Sequence, residues 1–302
     1  MILEGDNSVI EAIQEKKRLL DIGAKVEHIR PILIMDGGLM KGVYGVGAAL
    51  AMDELSIFGV FNAAVGVSSG APTLAYALAG SVKIGSTILY EESCSKNFLS
   101  FWRWRNPLNI YFFRQVMEGL TGKLLVSEAV VSSKVPFYIG LSKYSSAQPF
   151  LLKPENSEEL YSGIQASIAM PGAVSDVITI RGIRYVDGAS TQPHVLQHSC
   201  EQFDATHILV ITNQDKTTGD ILWWDKLLSQ TLFRFRMGTI LRRVTINRRK
   251  IRHAWVDSVL VNPATPICFI WGNGSVGSFE RDSQKIKDTI ESSRVWWREL
   301  LT

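Results

Sequence analysis

Two short segments of this chain share an unusual construction. Pro31-Ile32-Leu33-Ile34-Met35 is apolar at every position and runs straight into Asp36-Gly37-Gly38. Ala63-Ala64-Val65-Gly66-Val67 is equally uninterrupted and runs into Ser68-Ser69-Gly70. A strand with one wet face alternates apolar and polar residues, whereas a strand with no polar position is covered on both faces. Each segment is followed by a stretch of helical length rich in small and apolar residues, Gly42 to Leu55 and Ala71 to Ala79. Two strand–loop–helix units in succession predict a mainly parallel central sheet between helical layers, a three-layer α/β/α fold.

Other elements follow from periodicity. Residues 8 to 24 read as an amphipathic helix, and Pro136 to Leu141, His207 to Thr212 and Asp257 to Val261 as strands. Val177 to Val186 reads as a hairpin turning at Arg181-Gly182, and a last helix runs from about Asp282 to Trp297. The chain of 302 residues shows no internal repeat, low-complexity linker or clear boundary. It is expected to form one domain with a substantial core, with 216–302 as a C-terminal elaboration.

The net charge is only +3, from 32 basic and 29 acidic residues, which gives no case for nucleic-acid binding. Cys94, Cys200 and Cys268 are widely spaced, without metal or redox spacing, so a reducing compartment is expected. The N-terminal MILEGDNSVIEAIQEKKRLLD has no signal-peptide h-region, and no run of about 18 apolar residues occurs. The expected location is cytoplasmic, with peripheral membrane contact. Two local clusters bear on that contact. Residues 98–113, FLSFWRWRNPLNIYFF, are dense in aromatics and arginine; residues 234–252 hold eight basic residues and no acidic one. Trp102, Trp104, Phe112 and Phe113 suit an acyl channel or a membrane interface, with Arg103 and Arg105 near phosphate head groups. Ordinary core and surface account for both clusters equally well. Trp223-Trp224 and Trp296-Trp297 read as packing residues.

Gly66-Val67-Ser68-Ser69-Gly70 places a serine between a strand and a helix. A serine hydroxyl needs placement and a base before it attacks. A tight strand-to-helix elbow supplies the placement, requires small neighbours, here Gly66 and Gly70, and sets the serine at a helix N-terminus. The plainer reading is a tight loop with Ser68 as an N-cap. Asp36-Gly37-Gly38-Leu39-Met40-Lys41-Gly42 closes the other strand; its glycines can aim backbone N–H groups at an oxyanion, and Lys41 adds positive charge. A phosphate loop is the competing reading, against which the chain lacks both GxGxxG here and GxxxxGK[ST]. Gly45 and Gly47 come too late and read as close-packing positions inside a helix.

None of the five histidines, His28, His194, His198, His207 and His253, stands in a catalytic pattern. His194 and His198 share a helical face, yet no HExxH surrounds them and no third metal ligand is evident. No metal or cofactor is expected. Asp187, between the apolar strand Ile183 to Val186 and Gly188-Ala189, can point into a site at the end of a sheet, although Asp-Gly is also a common turn pair.

Together these pieces resemble the patatin-like phospholipase family, and within it a bacterial branch with an extra C-terminal region. That family carries Asp-Gly-Gly-Gly-x-Arg/Lys-Gly, Gly-x-Ser-x-Gly and Asp-Gly-Gly/Ala motifs in this order. Here they stand at Asp36 to Gly42, Gly66 to Gly70, and Asp187 to Ala189. Ala166-Ser167-Ile168-Ala169-Met170-Pro171-Gly172 resembles the family's Ala-Ser-x-Ala-x-Pro segment, and Pro193 matches a later proline, so the likeness covers about residues 30 to 215. The resemblance implies Ser68 as nucleophile, Asp187 as base, and an oxyanion hole from Gly37, Gly38 and the backbone at Leu39. Lys41 and Gly42 support the loop. The implied substrate is a phospholipid or other fatty-acyl ester. One departure stands out: Leu39 replaces the third glycine, so its side chain either lines the acyl pocket or damages the hole. An inactive scaffold protein, a small-ester or thioester hydrolase and a nucleotide-binding protein remain the rival readings.

Overall fold

The computed structural model describes residues 1–100, 102–103, 106–191, 193–216, 251–261 and 263–302. Its strands are β1 (Ile2–Gly5), β2 (Pro31–Met35), β3 (Ala63–Val67), β4 (Phe137–Lys143), β5 (Pro149–Leu152), β6 (Ile178–Ile180), β7 (Ile183–Asp187), β8 (His207–Asp215) and β9 (Ile267–Gly272). Its helices are α1 (Ser8–Asp21), α2 (Val43–Glu54), α3 (Gly70–Leu78), α4 (Val82–Tyr90), α5 (Ile110–Met117), α6 (Ser127–Val131), α7 (Ser157–Ser167), α8 (His194–Glu201), α9 (residues 251–261) and α10 (Ser283–Leu301). The strands form one sheet in the order β1-β9-β8-β2-β3-β4-β7-β6, with β5 beside β4. The middle, β9-β8-β2-β3-β4, is parallel, and the pairs outside it are antiparallel.

Strand β2 is buried at all five positions, as its uninterrupted apolar sequence requires. Its side chains alternate between two cores. Leu33 and Met35 pack with Ile13 of α1, Met52 of α2, Leu74 of α3 and Trp297 of α10. Ile32 and Ile34 face the other way, with Leu196 of α8 and Val256 of α9. The sheet is therefore sandwiched between helical layers. Gly45 and Gly47 do lie inside α2; a Cβ on Gly47 would sit 2.4 Å from the Cβ of Ser293, which is why α2 and α10 can approach closely.

The hairpin between β6 and β7 turns where expected. Arg181 (φ 49°) and Gly182 (φ 76°) are both left-handed, the twist a two-residue hairpin loop needs. Two expectations need correction. The first helix stops at Asp21, short of residue 24, because Gly23 turns left-handed (φ 74°). The segment Asp257 to Val261 is helical, not a strand. Val256 is buried, and Trp255, Val259 and Leu260 pack beside it at helical spacing; the strand, β9, comes only after Pro266. Short apolar runs do not separate strand from helix by pattern alone.

Candidate active site

The parallel middle of the sheet brings the ends of β2, β3 and β8 side by side, with Met35 beside Gly66 on one flank and Ile211 on the other. The loops that follow these strands therefore converge. Ser68 stands between β3 and α3 with φ 52°, a conformation uncommon and strained for a residue with a Cβ. Gly70 permits this turn by close approach: a Cβ there would lie 2.2 Å from the carbonyl oxygen of Met35. Gly66 likewise faces the backbone of Ala71.

Ser68 and Asp187 meet from 119 residues apart. Ser68 Oγ donates to Asp187 Oδ2 at 2.9 Å, and both residues are buried, at 8% and 3% exposure. The other carboxylate oxygen, Oδ1, accepts the Ala189 N–H at 2.8 Å. One segment steadies both residues. The Ser68 N–H donates to Ser167 Oγ at 2.8 Å, and the Ser167 hydroxyl in turn donates to the Gly140 carbonyl at 3.0 Å. Two residues on, the Ala169 carbonyl accepts the Asp187 N–H at 3.2 Å. Sequence reasoning placed this segment by resemblance but assigned Ser167 no role; a lone buried serine at a helix end carries no signal of its own.

The loop from Asp36 to Gly42 lies against the serine. A Cβ on Gly37 would stand 2.4 Å from Ser68 Cβ and 3.1 Å from Ser68 Oγ, so only glycine fits. Its N–H is already engaged, donating to Asp36 Oδ1 at 2.6 Å. The next two amides, Gly38 N–H and Leu39 N–H, meet no acceptor among the described residues. Leu39 has φ 54°, the left-handed backbone that a glycine would adopt freely, and its half-buried side chain packs on two hydrophobic clusters.

The end of β8 grips this loop. Asn213 Nδ2 donates to the Asp36 carbonyl at 2.5 Å while its Oδ1 accepts the Gly45 N–H at 2.7 Å. Gln214 Nε2 donates to the Gly37 carbonyl at 3.2 Å. Lys41 Nζ pairs with Asp215 Oδ2 at 3.0 Å, so its charge is spent on holding the loop. None of Asn213, Gln214 and Asp215 was legible as a site residue, because their reach depends on β8 lying beside β2. Cys200 and Cys268 offer no rival nucleophile, since burial pushes both thiols up to about 12.

The model of the patatin-like phospholipase family matches residues 33–196. The chain belongs to that family. No curated protein matches it. For a patatin-like phospholipase the match spans the glycine loop, the serine turn and Asp187, and it ends before β8. Membership supports lipid-hydrolase function in general.

The two clusters that sequence linked to membranes separate here. Within 98–113, Phe98, Leu99, Leu108, Ile110 and Phe113 are core residues. Arg103 is a staple for its own loop: its guanidinium donates to the carbonyls of Lys96, Phe98, Asn106 and Pro107. Trp102 is 97% exposed. Trp104 and Arg105 lie outside the described residues, as do 234–250 and Trp223-Trp224. Arg252, the end of the basic cluster, is buried at 6% exposure, so at this residue neither the lipid-binding nor the solvated-face reading of the cluster holds. Trp297 is fully buried, as its packing reading predicts. Among the described residues no helix is long and apolar enough to cross a membrane.

Proposed function

We propose that the protein hydrolyses carboxylic esters of phospholipids or other fatty-acyl lipids through a Ser68–Asp187 dyad. The observation that carries this reading is the buried 2.9 Å hydrogen bond from Ser68 Oγ to Asp187 Oδ2. In the first half-reaction Asp187 takes the hydroxyl proton as Oγ bonds to the acyl carbon. The carbonyl oxygen becomes an oxyanion, stabilised by Gly38 N–H and Leu39 N–H together with the positive end of α3. Gly37 contributes space for the serine, since its own amide is taken. The tetrahedral intermediate collapses, the ester C–O bond breaks, and the leaving alkoxide receives the proton from Asp187. Water then attacks the acyl-serine by the same steps, with Asp187 again as base, and releases the fatty acid.

Trp102 supports contact with a lipid surface. It stands almost wholly exposed on a loop fixed at its base to Ala173 and Ser175, just beyond the segment that holds Ser68 and Asp187. An exposed tryptophan suits the membrane–water boundary.

The test is hydrolysis of a p-nitrophenyl ester series from acetate to palmitate by wild type, Ser68→Ala and Asp187→Ala. Loss of activity in both variants with preference for long chains is the expected result. Equal background rates in all three proteins would turn the reading to an inactive scaffold. Preference for acetate would turn it to a small-ester hydrolase.

A further inference from the structure

The Asp36 carboxylate is fully buried beside the serine and directs the loop by taking the Gly37 N–H on Oδ1. Its other oxygen, Oδ2, lies 3.4 Å from Arg252 Nη2. Arg252 comes from α9, outside the matched residues 33–196, and its guanidinium carbon lies 5.3 Å from the centre of the Trp271 ring on β9. A buried carboxylate without a cation nearby is costly and tends to take up a proton, which weakens it as an acceptor. With the cation in place it holds Gly37 N–H firmly. That fixes the Asp36–Gly37 peptide, directly before the two amides, Gly38 N–H and Leu39 N–H, that meet no acceptor among the described residues.

We infer that Arg252 is a positioning residue for the oxyanion loop. It sits over the Trp271 ring and acts through Asp36 on the amides of Gly38 and Leu39. It does not touch the reacting atoms. The inference rests on the hydrolase reading for its kinetic consequence and on geometry alone for its structural one. A guanidinium suits the task better than an ammonium, because its plane can stack on the indole while its edge reaches the carboxylate.

The experiment compares wild type, Arg252→Lys, Arg252→Met, Asp36→Asn and the double variant Asp36→Asn/Arg252→Met. Arg252→Met is expected to lower kcat by roughly 10²-fold with little change in KM, since about 1 Å of displacement in a catalytic group has that effect. Arg252→Lys, which keeps a cation and protects the fold, should fall between it and wild type. In the Asp36→Asn background the arginine substitution should have little further effect on kcat, because the two act as one unit. Additive losses, or unchanged kcat in Arg252→Lys and Arg252→Met, would overturn the proposal. A readout independent of activity is the Gly37 amide proton in glycine-labelled protein. Wild type should show it strongly deshielded by the short bond to Asp36, and Arg252→Lys should move it upfield. An unmoved resonance would overturn the positioning role. If wild type and Ser68→Ala hydrolyse esters equally, the hydrolase reading falls, and the amide resonance still decides the role of Arg252.

Discussion

The sharpest consequence of the site's geometry concerns a single methyl group. In Gly37→Ala the new Cβ would start 2.4 Å from Ser68 Cβ, 3.1 Å from Ser68 Oγ and 3.4 Å from the Val67 carbonyl oxygen. Carbon atoms in ordinary contact stand about 3.5–4.0 Å apart, so about 1 Å must be found by movement. Ser68 cannot yield without breaking its bonds to Ser167 and Asp187, since both termini of its motion are tied. The loop cannot yield without breaking the contacts of Asn213 and Gln214 to the carbonyls of Asp36 and Gly37. Displacement of about 1 Å at either place corresponds to roughly a 10²-fold loss in kcat. If Gly38 N–H also leaves its position, the loss of one oxyanion donor adds roughly 10²- to 10³-fold. Overpacking of this kind costs about 1–3 kcal/mol in stability. The assay is kcat and KM on a long-chain p-nitrophenyl ester, with the rate of fluorophosphonate labelling of Ser68 and a thermal melt. Gly59→Ala is the control, because a Cβ there meets nothing within 4 Å. A Gly37→Ala protein that labels and turns over within about threefold of wild type would refute the argument that the serine and the loop are locked together.

Three further outcomes follow from the same geometry. Ser167→Ala removes the acceptor of the Ser68 N–H and the donor to the Gly140 carbonyl; two stranded buried groups should cost about 2–4 kcal/mol in a denaturant melt and lower kcat. Leu39→Gly relieves a left-handed leucine, worth about 1–2 kcal/mol, but sacrifices half-buried packing and backbone entropy. Its stability should stay within about 1 kcal/mol of wild type with kcat undiminished; a collapse of kcat would show that the leucine side chain is needed. His207 is held below its ordinary value of 6.5, chiefly by burial and against the opposing pull of Asp6. The unfolded chain therefore binds that proton more readily, so this contribution to stability is full above about pH 6.5 and is lost as the pH falls through the folded-state value. Melts across that window should be flatter for His207→Gln than for wild type.

The middle of the fold was legible because β2 and β3 have no polar residue to hide, and the hairpin because Arg181-Gly182 leaves two short apolar runs on either side. The position of Ser68 was legible because a glycine-bounded turn after the buried strand β3 marks the end of a parallel sheet, whereas Asp187, on the antiparallel β7, reads as an ordinary turn residue until the family resemblance pairs it with Ser68. What escaped was whatever depended on a neighbour brought in by topology. Asn213 to Asp215 are an unremarked polar end to β8 until β8 is laid against β2. Arg252 reads with seven other basic residues as one cluster, since composition cannot tell a solvated cation from one buried beside Trp271 and Asp36. The apolar residues near 257 read as a strand for a simpler reason: five residues are too few to separate a period of 2 from one of 3.6.

Leu39 shows why these late-chain residues matter. A loop of three glycines could take many shapes. Here one of the three is a leucine in a conformation that costs about 1–2 kcal/mol, so something must hold it there. The restraints are identifiable. Met40 N–H reaches the Ser278 carbonyl, Lys41 reaches Asp215, the carbonyls of Asp36 and Gly37 are taken by Asn213 and Gln214, and Arg252 stands beside the Asp36 carboxylate. Every one of these partners lies beyond residue 196, where the family match ends. A chain cut at that point would keep Ser68, Asp187 and the glycines, and it would lose β8, the strand that separates β2 from β9 in the sheet. The leucine would then keep part of its packing but lose the polar contacts that hold its loop, so the shape of the loop depends on the C-terminal third as well as on the motif that marks it.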